Sequence, residues 1–131
     1  MQGKENTISG ALLLSTFGGG TANTEFEFLT GDTMGFLPFG CSPYQMYIKQ
    51  QTPNLVSGLE AQGYQTVSLH PYLASSWNRE KVYERFGFDE QLYEEDFAAD
   101  AEHVRYRISD SESYRKIYEL YESKQPGQPL F

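Results

Sequence analysis

Residues 8–29, ISGALLLSTFGGGTANTEFEFL, carry the reading that decides the fold. The run 8–15 is apolar and of strand length, with polar residues before it and glycines after it, a pattern suited to a strand buried on both faces. From Ala22 to about Leu29 the spacing predicts a short helix with Phe26 and Leu29 on one face, ended by Thr30-Gly31-Asp32. Thr21 therefore stands where a strand hands over to a helix, preceded by Gly18, Gly19 and Gly20. Glycines permit a tight backbone path and close approach of a ligand. The N–H groups at a helix start favour an anionic group such as phosphate. The stretch reads as a candidate phosphoryl site.

Working outward, residues 34–51 are rich in Pro, Gly and aromatics and read as a long irregular connection of the kind that is often functional. Thr52-Pro53 has the chemistry of a helix start, Leu55, Val56 and Leu59 follow at helical spacing, and Gly63 supplies the stop. Residues 64–69, YQTVSL, read as a second buried strand whose carboxyl end delivers His70. Strand, helix, strand predicts an α/β fold with a small, mainly parallel sheet flanked by helices. A helix follows from about Asn78 to Phe86, closed by Gly87, and Ser109 with Glu112 forms a capping-box pattern ahead of Tyr114, Ile117, Tyr118 and Tyr121. The acidic stretch 89–102 between these helices reads as peripheral. The chain closes on QPGQPLF, a Pro-Gly turn and the beginning of a strand. With the polar run 2–6 after Met1, this sets the expectation of one partial domain, residues 1–131, truncated at both ends.

A length of 131 residues with 39% hydrophobic and 15% aromatic content suits one globular unit with a real core. No stretch approaches the roughly 20 apolar residues of a membrane span, so a soluble fragment is expected. A net charge of −8 argues against non-specific nucleic-acid binding and against docking on anionic lipid headgroups. Any phosphate ligand must then be held by local cations or a metal. The single cysteine, Cys41, excludes an internal disulfide and a cysteine-rich zinc site.

Ligands of open α/β sheets sit beyond the carboxyl ends of the strands, where Thr21 and His70 both fall. After His70, the segment HPYLASSWNR brings Trp77 and Arg79. Arg suits a bidentate grip on phosphate, His can shuttle a proton, and Trp can shape a pocket for a small carbon skeleton. Each has an ordinary reading too. Thr at a helix start is commonly only a cap, a lone His at a strand end is more often structural, Trp is more often core, and Arg in a first helical turn is more often solvated. Cys41-Ser42-Pro43 partly matches the C-x-P-x-R signature of sulfatases but has Gln45 where arginine belongs, which leaves Cys41 an ordinary thiol. Glu94-Glu95-Asp96 reads as a solvated acidic run, and His103 has no partner pattern.

Taken together, GGGTANTEFEFLTG, FLPFGCSPYQ, HPYLASSWNREKVYERFGFDE and the RISD helix start resemble the lipoteichoic acid synthase group of phosphoglycerol transferases. That group lies in the sulfatase branch of the alkaline phosphatase superfamily, so the resemblance implies a fragment of an α/β/α sandwich. It implies that Thr21 is the nucleophile that takes glycerol-phosphate from phosphatidylglycerol and is also one ligand of a catalytic metal, manganese or another divalent cation. His70, Trp77 and Arg79 match the positions that hold the glycerol-phosphate. A polymer or glycan hydroxyl would be the acceptor, and the parent would sit in the cell membrane with its catalytic domain on the extracellular face. The family's other metal ligands, a glutamate on an earlier strand and an Asp-His pair on a later one, have no counterpart in these residues. The isolated chain is therefore expected to be inactive and to hold no tightly bound metal, and its exposed sheet edges could pair between copies. Two alternatives stand beside this reading. One is a phosphoethanolamine transferase or a sulfatase- or phosphatase-like hydrolase, and the other is a non-enzymatic phosphate- or carbohydrate-binding module.

Overall fold

The structure is a computed structural model that describes residues 10, 11, 13, 14, 16 and 20–131. The expected strand over 8–15 and the glycines Gly18 and Gly19 lie wholly or partly outside the described residues. The first described element is α1, Thr21–Thr30, which buries Ala22, Phe26 and Leu29. It ends as its sequence predicts. Gly31 takes the left-handed conformation (φ 74°) and its N–H returns to the Glu27 carbonyl.

The connection after α1 is less irregular than its composition suggests. It holds a turn of 3₁₀ helix at Met34–Phe36 and a short helix α2, Pro43–Met46. Cys41, Tyr44 and Ile48 are buried, because this segment supplies the face against which α1 packs. Helix α3, Leu55–Glu60, starts at Asn54 rather than at Thr52-Pro53. Asn54 Oδ1 accepts the Ser57 N–H (3.1 Å) while its Nδ2 donates to the Phe86 carbonyl (3.1 Å). One amide thus caps the helix and ties it to α4 below, a double use that Thr52 is not placed to make.

Strand β1, Val67–Leu69, pairs in parallel with β2, Glu90–Leu92, and α4, Arg79–Phe86, is the helix between them. The acidic stretch after residue 88 is therefore not peripheral: its start is a strand, and Leu92 and Tyr93 are buried. Asp89 anchors it. Its carboxylate accepts both the N–H and the hydroxyl of Thr66 (2.8 and 3.0 Å), and the same hydroxyl accepts the Asp89 N–H (3.0 Å). On the other edge of β1, residues 129–131 run parallel to it, bridging Gln65 to Leu130 and bonding the Val67 N–H to the Phe131 carbonyl (2.9 Å). The segment QPGQPLF thus ends in a single parallel bridge to β1 rather than in a full strand.

A hairpin of β3, His103–Val104, and β4, Arg107–Ile108, leads into α5, Asp110–Ser123. Ser109 Oγ caps α5 by accepting the Glu112 N–H (3.3 Å). Helix α5 buries no residue, and Tyr114, Tyr118 and Tyr121 are exposed. The core lies instead among α1, α2, α3 and α4, where Tyr44 meets Tyr83 and Phe86 edge to face at 6.2 and 6.0 Å between ring centroids. Phe86 is fully buried at this junction. Phe86→Ala is expected to cost about 3–5 kcal/mol in urea denaturation; a loss below about 1 kcal/mol would place the core elsewhere.

Candidate active site

Thr21 is exposed, the first residue of α1, and no side chain caps the helix in front of it. Gly20 is closely fitted there. A Cβ at that position would come within 3.3 Å of both Asn23 Nδ2 and Thr16 Cγ2, so a larger residue would press on Asn23, which ties α1 to the α2 segment. The helix is held against the α2 segment by Asn23, whose Nδ2 donates to the Cys41 carbonyl (3.2 Å).

One turn further along α1 stands Glu25, the residue that organises the site. Its carboxylate accepts from Arg79 twice, Nη2 to Oε1 at 2.7 Å and Nε to Oε2 at 3.1 Å. Tyr83 Oη donates to the same Oε2 at 2.9 Å. Arg79 is 1% exposed and Glu25 27%. The expectation of a solvated first-turn arginine is therefore corrected: Arg79 is buried because its charge is met across the core. Burial works against the Arg79 charge, but the Glu25 hydrogen bonds and charge hold its pKa above the ordinary arginine value. Tyr83 and Tyr44 move up as well, first through burial and then through neighbouring negative charge, so both stay protonated.

Arg79 Nη1 also donates to the Ser76 carbonyl at 3.4 Å, which pins the turn carrying Trp77. That turn is strained. Trp77 and Asn78 are consecutive non-glycine residues in the left-handed region (φ 59° and 63°), a conformation costing each about 1–2 kcal/mol. Asn78 precedes α4 as predicted but makes no side-chain cap; its Nδ2 donates instead to the Tyr44 carbonyl (3.1 Å). The outcome is that Trp77 is held outward at 39% exposure rather than in the core.

His70 follows β1 directly, its N–H bonded to the Leu92 carbonyl (2.8 Å). The ring packs edge-on to Tyr72, and Nε2 is buried with no partner among the described residues. Burial is the main cause of its lowered pKa, about 4, followed by the Arg79 charge, with Glu25 opposing and Arg107 adding to the shift. His70 is neutral at pH 7, able to donate or accept one proton at Nε2.

Arg79 and Glu25 join the first turn of α4 to the second turn of α1, and the charges of both act on His70 at the end of β1. The residues read from sequence thus fall on connected elements, with different exposures: Thr21 and Trp77 face outward, His70 is half-buried and Arg79 is enclosed. Glu25, Tyr83 and Tyr44 are absent from the sequence reading. Nothing in the local sequence separates Glu25 from Glu27 two residues on, since the partners that single it out, Arg79 and Tyr83, lie 54 and 58 residues away.

Among the described residues, no group of three or more His, Cys, Asp or Glu side chains is placed to hold a metal ion. A lone threonine hydroxyl is not a divalent-cation site. The residues present therefore do not by themselves fit the metal that the resemblance implies. Cys41 is a buried free thiol, and in the 94–96 turn Asp96 is used to accept the Tyr93 N–H (2.8 Å).

Comparison with known proteins gives the family and the fold. The family model described as Sulfatase matches residues 4–131. A Streptococcus pyogenes phosphoglycerol transferase, GacH, solved in complex with sn-glycerol-1-phosphate, superposes with a TM-score of 0.71 at 29% identity, over 90% of this chain and 31% of that one. The lipoteichoic acid synthase LtaP from Listeria monocytogenes shares the fold, with a TM-score of 0.71 at 21% identity over 89% of this chain and 28% of that one. A Rhizobium meliloti protein, provisionally named for cyclic beta-1,2-glucan modification, is 47% identical over 83 residues, 63% of this chain and 13% of its own length. The chain thus spans under a third of each of these relatives.

The lowered His70 pKa carries a sign. An unfolded histidine titrates near 6.5, so between about 6.5 and 4 the unfolded state binds more protons, and stability is full above that range and lost as pH falls through it. His70→Gln is expected to lose less stability than the wild type between pH 7 and pH 4. An NMR titration should place the His70 midpoint near 4, and a midpoint at or above 6.5 would contradict the burial described.

Proposed function

The chain belongs to the sulfatase family, and from that premise we propose that it carries the nucleophile half of a phosphoglycerol transferase site. The observation that supports this best is the exposed Thr21 at an uncapped helix start, one turn from the carboxylate that fixes Arg79. The likeness to a phosphoglycerol transferase that binds sn-glycerol-1-phosphate favours transfer over hydrolysis.

In this reading the Thr21 hydroxyl oxygen forms a bond to the phosphorus of a phosphatidylglycerol-type headgroup. The bond from phosphorus to the lipid alcohol breaks, and the threonine proton ends on that alcohol. A hydroxyl of a polymer or glycan then attacks the phosphothreonine, and Thr21 leaves with the acceptor's proton. Transfer through a covalent intermediate splits one difficult displacement into two easier ones. Arg79, enclosed and paired with Glu25, acts from behind the site by fixing the turn that carries Trp77 and joining α4 to the helix of Thr21. Neutral His70 is suited to hydrogen-bond the headgroup, and Trp77 to cover its carbon skeleton.

The reading includes a divalent cation such as manganese with Thr21 as one ligand, the remaining ligands coming from the rest of a longer protein. It also places that protein in the cell membrane with this domain on the extracellular face. No described helix is long and apolar enough to cross a membrane.

The test is intact-mass spectrometry of the whole protein after incubation with manganese and a phosphatidylglycerol analogue. A glycerol-phosphate adduct is expected on Thr21, with turnover falling on the order of 10⁴-fold in Thr21→Ala. An adduct that persists in Thr21→Ala contradicts the assignment.

A further inference from the structure

Arg107 lies on β4 beside the carboxyl end of β1, and its guanidinium carbon sits 4.8 Å from the Tyr72 ring centroid and 5.3 Å from that of Tyr106. The two rings meet edge to face at 6.1 Å, and Tyr72 in turn packs edge-on to His70 at 6.4 Å. Arg107 is exposed and has no ion pair or side-chain hydrogen bond among the described residues. Arg115, by contrast, is paired with Glu112, and Arg79 with Glu25.

Stacking on aromatic rings fixes a guanidinium through its faces and leaves its in-plane N–H groups available. Five such donors in a planar fork match the oxygens of a phosphate. Tyr106 is 64% exposed, so the platform opens outward, and the buried, unpartnered His70 Nε2 stands on its inner side. The hairpin that supports it is anchored by the Ser109 N–H on the Glu102 carbonyl (2.9 Å).

We propose that Arg107, held on Tyr72 and Tyr106, is an anion-recognising residue of the site and binds a phosphate group presented next to His70. The inference deepens the proposed function and rests on it only for the identity of the anion, a phosphate carried by a glycerol headgroup or free in solution.

The test is an NMR titration of the protein with sn-glycerol-1-phosphate, with inorganic phosphate, and with glycerol as a neutral control. Phosphate-bearing ligands should shift the Tyr72, Tyr106 and His70 signals, and glycerol should not. Arg107→Gln should raise the Kd about tenfold or more, with Arg107→Lys in between. Arg105→Gln, on the same hairpin, should stay within about twofold, which separates a specific site from net charge. Tighter binding of glycerol-phosphate than of phosphate supports a headgroup as the source, and equal binding supports phosphate alone. No binding to the wild type, unchanged binding in Arg107→Gln, or equal losses in Arg105→Gln and Arg107→Gln would overturn the inference. The two readings fail separately. Adduct formation on Thr21 with unchanged donor dependence in Arg107→Gln overturns this inference alone, whereas Arg107-dependent binding without any adduct overturns the transfer reading alone.

Discussion

The ion pair between Glu25 and Arg79 is the interaction on which the rest of this structure depends. It joins the helix that carries Thr21 to the helix that follows Trp77, and it does so inside the protein, where Arg79 is 1% exposed. Removing one partner of such a pair strands a buried charge, typically at about 3–5 kcal/mol. Tyr83 and the Ser76 carbonyl complete the donor and acceptor needs of the pair. The strained Trp77-Asn78 turn persists because this network and the Asn78 bond to Tyr44 hold it from both sides.

Seen from this pair, the electrostatics of the site are consistent. The enclosed arginine raises the cost of a second positive charge nearby, which helps keep His70 neutral. Glu25 offsets the arginine, so the enclosed cluster is close to balanced and the field felt at Thr21 depends on what is added to it. A phosphate brings negative charge, and an exposed, unpaired Arg107 offers a further place for it. The chain's net charge of −8 makes such local cations decisive, since nothing in the overall charge attracts an anion.

Helix periods, glycine stops and caps were legible in the residues: α1 with its Gly31 end, α4 with Gly87, and Ser109 ahead of α5. These are local signals. Strand β2 is hidden in the sequence because Asp89-Glu90-Gln91 looks solvated, and the reciprocal bonds between Asp89 and Thr66, 23 residues apart, anchor its start beside β1. Arg79 was placed on the right helix with the wrong exposure, since its partner lies 54 residues away in sequence. The tyrosines of α5 show the reverse case. Their helical spacing predicts an apolar face, and in this chain that face stays exposed. Arg107 gave no sequence signal, because stacking on Tyr72 requires a hairpin fold that brings residues 35 positions apart together.

A double-mutant cycle on Glu25→Gln and Arg79→Lys, read by urea denaturation of single and double variants, tests the central claim most directly. A buried, bidentate pair predicts a coupling energy of about 1–3 kcal/mol, so that the double variant loses clearly less than the sum of the single losses. Additive losses, with coupling below about 0.3 kcal/mol, would contradict the account of Glu25 and Arg79 as the joint between α1 and α4.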